Sequence, residues 1–500
     1  MYFTSIKSGS ISFILIWCLA LPCAGQVVLQ ERYELLLLDE LGMANPQVTS
    51  LGTDGILVHT RIRERTTDRL QLVMLDTALR ESWQGVITLD KNQTIARVVA
   101  HDHRVYLLLR AITFGNFDFT IIVIDIRSRS YDTYLVNNLI PLTPSDFNIS
   151  TNAILIGGYF NESPVVLHYS LATGRSRLLP GFFTDPGHIN QIKTYDDGLI
   201  DIIVSMRNQL RKEILLIRSY TPEGDLINAT ALEGEIDKKL LYGNSIRKED
   251  GTQIIAGSFG ARNPEYSRGV FFAELNAEEK PTVRYYNFSD FENYFKYMKP
   301  RREARVKERI ARRKLKGKKN RQSSMFLTQE LFQAGDEYLL LGEAFYPRYL
   351  YLNTFGNSGR GDRIFDGYRY THAAVVAFDE SGAMQWDNAF EINDVKTFDL
   401  KQYVKLVPGS DKIEMLYLHE NNLNSKTINR NQVLEGKSTI ELRAKSNTGP
   451  QKEKKTEAGE LEYWYNPYFF AYGIQSINNT HDENDDSGRK VLFINKLKFQ

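Results

Sequence analysis

The chain has 500 residues, a formal net charge of +1 and 42% hydrophobic residues, enough to build a sizeable core. Its two cysteines, Cys18 and Cys23, both fall within the first 25 residues. That excludes thiol catalysis, thiolate metal sites and disulfide stapling beyond residue 25, and no later stretch approaches the roughly 20 apolar residues of a membrane-spanning helix.

The N-terminus reads as a secretory signal peptide over residues 1–25. Lys7 precedes an apolar run from Ile11 to Leu21, and Pro22-Cys23-Ala24-Gly25 supplies small residues before a cut expected near Gly25–Gln26. Trp17 and Pro22 stand before the cysteines, where a lipid anchor needs a small residue. A large secreted chain with no disulfide points to a bacterial envelope, periplasmic or outer-membrane associated.

From residue 45 onward a phrase recurs without its letters recurring. A turn with Asp, Gly or Asn leads into four or five apolar residues, often followed by a small residue and an aromatic. Copies stand at 54–58, 105–109, 153–160, 197–204, 250–259 and 335–345, with a looser one at 410–417. The early copies start roughly 40–55 residues apart, the spacing of propeller blades. An apolar run after a tight turn suits a strand buried on both faces.

A second phrase accompanies it. At 69–83 and 373–386 an apolar strand ends in Asp, a turn follows, and Trp stands seven residues after the Asp: Asp76 to Trp83, Asp379 to Trp386. Weaker versions occur at 121–136, 165–179, 214–226 and 270–286. This resembles the strand, Asp, turn, Trp hairpin of PQQ-like and WD40-like β-propellers over about residues 45–500, without the strict Gly-His and Trp-Asp signatures of WD40 blades. The resemblance implies an all-β fold: a β-propeller of about seven four-stranded blades, with six or eight as alternatives, forming a single domain over 26–500. A pair of β-sandwiches is the competing architecture.

One segment breaks the pattern. Residues 299–321 hold thirteen Lys or Arg against Glu303 and Glu308, a local charge of +11 that leaves −10 for the rest of the chain. Pro300 suits the first helical position and Gly317 a stop. Val306 and Ile310 make a narrow apolar stripe, with Phe295 and Met298 before it. The segment 290–324 is therefore expected to be a basic helical insertion between two blades, followed by a flexible stretch over 318–324. Arg301, Arg302, Arg305, Arg309, Arg312, Arg313 and Lys316 are its candidate contacts. An anionic protein surface or envelope complex, or an anionic lipid head group, would fit them. Nucleic acid does not fit, because the segment has no interleaved aromatics. The bland reading is a solvated helix lying on the acidic body.

Beyond it, 346–399 is the richest polar and aromatic stretch, with a connection longer than a blade hairpin needs. Tyr346, Arg348, Tyr349, Tyr368, Arg369 and Tyr370 are candidate contacts there, Tyr and Arg being common at binding hot spots. They could equally pack on a blade edge. Residues 443–460 read as a disordered loop insertion of mixed charge. The acidic loop 481–488 misses the calcium-loop pattern: Gly488 falls one place late, and Phe493 stands where a bidentate Glu is required.

Motifs for chemistry are sparse. His101-Asp102-His103 is the one local histidine pair among eight histidines, and it lacks a third ligand nearby in sequence. No Gly-x-Ser-x-Gly elbow, Walker loop or zincin helix appears. No cofactor or metal is expected. The favoured expectation is a secreted, non-catalytic interaction scaffold using the helix and the 346–372 loop. The alternative is a carbohydrate-active hydrolase or lyase with carboxylates in a central funnel.

Overall fold

The computed structural model describes residues 27–37, 44–138, 140–181, 185–261, 263–276, 281–319, 322–351, 363–409, 412–442, 453–477 and 489–499. The expected signal peptide and acidic loop 481–488 lie outside these residues.

Each copy of the apolar phrase forms the second strand of a four-stranded antiparallel blade: Ile56–Arg63, Arg104–Ala111, Ala153–Phe160, Ile200–Arg207, Gln253–Gly260, Glu337–Tyr351 and Ile413–His419. Successive side chains of a strand point to opposite faces, so an uninterrupted apolar run means that both faces are covered. In blade 1, Leu57 packs towards blade 2, whereas Ile56 and Val58 pack towards the last blade. Among the described residues the buried apolar side chains form eight clusters, one for each seam between neighbouring blades.

There are thus eight blades, the upper of the alternatives to the expected seven. The eighth lacks the phrase because its second strand, Tyr468–Ile477, opens on aromatics and follows Asn466-Pro467. Its inner strand is Glu453–Tyr465 and its third is Arg489–Lys498. The fourth comes from the other end of the chain: Val28–Leu37 pairs with Arg489–Lys498 from Val28 opposite Lys498 to Leu37 opposite Lys490. The inner strands of blades 8 and 1 also pack together, which closes the ring. The stretch expected as a disordered loop over 443–460 is strand from Glu453 onward. Main-chain groups make that ladder, and a mixed-charge sequence supplies them as well as an apolar one. Residues 443–452 lie outside the described residues.

The Asp-turn-Trp phrases are the third-to-fourth strand hairpins of blades 1 and 6. The Asp carboxylate forms the turn: Asp76 Oδ1 accepts from the N–H groups of Ala78 and Arg80, and Asp379 Oδ1 from that of Ala383.

Strand direction alternates within a blade, so the connections alternate between two faces of the ring. Turns from second to third strand, and crossings from one blade to the next, share the upper face. Turns from first to second and from third to fourth strand share the lower face. Helix α1, Pro300–Leu315, lies in the crossing from blade 5 to blade 6 and is therefore on the upper face. No helix among the described residues is long and apolar enough to cross a membrane.

Candidate functional site

The basic helix is rooted before it begins. Phe288, Phe291, Tyr294 and Phe295 are buried with Phe326 in the seam of blades 5 and 6. Phe288 stacks on Tyr294 at 4.4 Å and meets Phe326 edge-on at 5.1 Å. Asp387, on the outer strand of blade 6, accepts hydrogen bonds from the backbone N–H of Glu292 and Asn293, both at 2.8 Å. The Asn293 side chain donates back to the Asp387 carbonyl at 2.7 Å. Burial pushes the Asp387 carboxyl up from its ordinary range, and those N–H donors partly offset it.

Ile310 is buried and Val306 and Met298 pack against the same seam, so the narrow apolar stripe is the docked side of α1. The opposite side faces solvent. Arg301, Arg302, Arg305, Arg309 and Lys316 are exposed and make no ion pair among the described residues. Arg312 pairs with Glu308 at 3.2 Å, both exposed. Arg313 is a different case. Its guanidinium donates to the Lys319 carbonyl at 2.6 Å and so holds the chain leaving the helix. Lys314 pairs with Asp290 and Lys319 with Asp237. The stretch expected to be flexible after the helix is tied at Ser324, which exchanges backbone hydrogen bonds with Ser267; Asn320 and Arg321 lie outside the described residues.

This arrangement strains the helix electrostatically. Arg301 and Arg302 stand in the first turn, at the positive end of the helix dipole. Arg301, Arg305 and Arg309 follow one another at i, i+4, where like charges repel by roughly 0.2–0.5 kcal/mol per pair.

The aromatic stretch is a hairpin arm. The second and third strands of blade 6 overrun the sheet, so that Tyr349 pairs with Phe365 and Leu350 with Ile364 beyond the reach of the first strand. Tyr346, Tyr349, Leu350, Ile364 and Phe365 are exposed. Arg348 pairs with Asp366 at 3.1 Å and Arg369 with Asp394 at 2.9 Å. Tyr368 is half-buried between Phe345 and Phe365. Tyr370 is fully buried, and its hydroxyl donates to the Lys401 carbonyl at 2.5 Å. Burial raises the pKa of that hydroxyl, with Glu343 adding to the effect, so it stays protonated. Tyr370 and Tyr368 thus hold up the arm, while Tyr346, Arg348 and Tyr349 are presented by it. Residues 352–362 lie outside the described residues.

The segment leading into the helix meets the base of the arm. Tyr297, three residues before Pro300, stacks on His372 at 3.8 Å and 7°, and Tyr294 closes on the same imidazole edge-on at 4.6 Å. His372 sits at the base of the arm, two residues from Tyr370. Burial lowers its pKa to about 3, so the ring is neutral. Sequence reading did not single out Asp387, Tyr294, Tyr297 or His372 individually, since nothing local marks an outer-strand Asp as an acceptor for a loop 95 residues upstream.

The upper face also carries an open groove of about 660 Å³ between blades 4 and 5, with His188, Arg207, Arg211 and Tyr242 among its lining. Several buried carboxylates elsewhere are already partnered. Asp201 takes Arg247, Gln253 and Ser219 at 2.6 Å each. Glu343 accepts from the backbone N–H of Tyr403 and Val404. Asp68 binds Arg61. His103 pairs with Asp54 and Arg127 in a lower-face turn. No group of three metal-ligating side chains occurs among the described residues.

No known family model matches this chain, and no curated protein does. Solved structures similar to it include the β-propeller domain of the Trilobed protease from Pyrococcus furiosus, at 10% identity and a TM-score of 0.38 over 79% of this chain and 97% of that one. The polysaccharide lyase Uly1 is similar at 9% identity and a TM-score of 0.40, over 81% and 90%. The Dos1 propeller is similar at 10% identity and 0.37, over 79% and 89%.

Proposed function

We propose that this chain is a secreted, non-catalytic docking scaffold of the PQQ-like or WD40-like repeat type in a bacterial envelope. It captures an anionic partner with α1 and the neighbouring hairpin arm. The observation that carries the reading is a self-repelling row of exposed arginines with no ion pair among the described residues, Arg301, Arg302, Arg305 and Arg309, on a helix whose root is fixed by Asp387 and by Tyr297 on His372. A helix lying passively on an acidic body would neutralise those charges. A bound anion relieves their repulsion and finds them already ordered, which lowers the entropic cost of binding. A carbohydrate-active hydrolase or lyase stands second, because Asp68, Asp201, Glu343 and Asp387 already serve Arg61, Arg247 and backbone N–H groups.

The test is cross-linking in the native envelope followed by capture of tagged wild type and of the Arg301→Gln, Arg302→Gln, Arg305→Gln, Arg309→Gln variant. A defined partner lost in the variant, with its melting curve unchanged, is expected. Equal capture by both proteins refutes docking through the helix.

A further inference from the structure

Apolar side chains that stand furthest into solvent are distributed on one side of the ring. Phe114, in the second-to-third strand turn of blade 2, is fully exposed, as is Ile236 in the crossing from blade 4 to blade 5. Leu315 at the end of α1 is 87% exposed, Leu210 in blade 4 is 76% exposed, and Phe398 in the crossing from blade 6 to blade 7 is 64% exposed. All five belong to upper-face connections. The lower face differs: its turns carry no exposed large apolar side chain among the described residues, although Tyr131, Leu226 and Val433 stand 43–49% exposed in the strands just beyond them. They are built from Asp, Gly and Asn, as connections exposed to water usually are.

From this asymmetry we infer that the upper face rests on an anionic lipid bilayer, with the apolar loop tips entering the interfacial layer and α1 lying against the head groups. This deepens the docking reading above and rests on it. The tips sit on blades 2, 4, 5 and 6 and on the helix between them, so they are spread around the ring rather than gathered into one patch. A protein partner is recognised through a contiguous, desolvated centre, which these separated tips do not form. A lipid surface meets every tip at once and needs no such centre, and aromatic and aliphatic tips beside Arg are the composition that favours the interface. The four unpaired arginines supply the attraction to acidic head groups, which acts near the membrane surface and falls off within a Debye length. The narrow stripe of α1 is used up against the propeller, so the loops and the arm, with Leu350 and Ile364, provide the apolar part.

The experiment is co-sedimentation of the purified protein with vesicles of 30% phosphatidylglycerol in phosphatidylcholine, and with phosphatidylcholine alone. Binding to the anionic vesicles is expected, weakened by salt, with little to the neutral ones. The four-Gln helix variant and a Phe114→Ser, Leu210→Ser, Ile236→Ser variant are each expected to lose at least about tenfold in partitioning, given the size of single-charge and single-side-chain interfacial terms. Both changes are confined to exposed side chains, so melting curves should match the wild type. A Phe114→Trp reporter should be quenched by lipid-borne bromine. Failure to bind anionic vesicles at low salt overturns the inference. So does undiminished binding of the tip variant without quenching of Trp at 114. If vesicles fail while a cross-linked acidic protein is lost in the four-Gln variant, the docking reading stands and the lipid does not.

Discussion

Ring closure should depend on one side chain more than on any other in its seam. Trp464, on the inner strand of blade 8, is buried, and its Nε1 donates to the carbonyl of Gly55 in blade 1 at 3.2 Å. Tyr465 and Phe470 meet its ring at 5.1 and 6.0 Å, and Lys496 lies over it at 5.5 Å while donating to the Thr77 carbonyl. Gly55 itself has φ +120°, and a Cβ there would fall 2.0 Å from the Leu75 carbonyl oxygen, so a side chain does not fit at that position. Trp464→Ala removes a buried indole, which costs about 3–5 kcal/mol in other cores, and one of the two hydrogen bonds on the Gly55 carbonyl, which keeps that from the Leu51 N–H at 3.0 Å. Trp464→Phe keeps most of the packing and loses the donor, for about 1–2 kcal/mol. Urea titration should show the midpoint falling in that order at unchanged m-value. Hydrogen exchange should rise first in Val28–Leu37 and Arg489–Lys498, because opening this seam frees the strand contributed by the other end of the chain. A loss below 1 kcal/mol for Ala, or exchange rising equally in all blades, would show that the ring does not close through this contact.

Two further outcomes follow from buried carboxyls. Asp387→Ala should leave the N–H groups of Glu292 and Asn293 unpaired at the root of α1, costing about 1–3 kcal/mol for each; exchange across 291–315 should quicken, and unchanged protection there refutes the anchoring role. Burial pushes the Glu414 carboxyl up from 4.5 to about 7, against the pull of Lys412. Between those values the unfolded chain ionises while the folded one stays protonated, so stability falls as pH rises through that window, by up to about 3 kcal/mol. Glu414→Gln should flatten the difference in urea midpoint between pH 5 and pH 8, and an unchanged difference refutes the assignment.

The division between sequence and tertiary structure is clear in the residues themselves. Apolar runs such as 105–109 and 338–341 could be read as doubly covered strands because burial on both faces removes the polar alternation that a half-exposed strand must keep. The basic helix was equally legible, since Pro300, the Val306 and Ile310 spacing and Gly317 act within a few residues of one another. What decided the remainder was distance along the chain. The eighth blade joins residues 28–37 to 489–498, and neither end carries the repeated phrase. Arg313 and Arg309 are indistinguishable as letters; only the position of the Lys319 carbonyl turns one inward and leaves the other free. Tyr370 and Tyr346 differ in the same way, one buried under the arm and one presented on it. The one-sided placement of Phe114, Leu210, Ile236 and Phe398 follows from strand direction in the closed ring. The sequence by itself determined a repeated all-β chain with one charged helix. Tertiary structure decided which face that helix shares and which of its charges remain unpaired, because faces and pairings arise only when segments hundreds of residues apart come together.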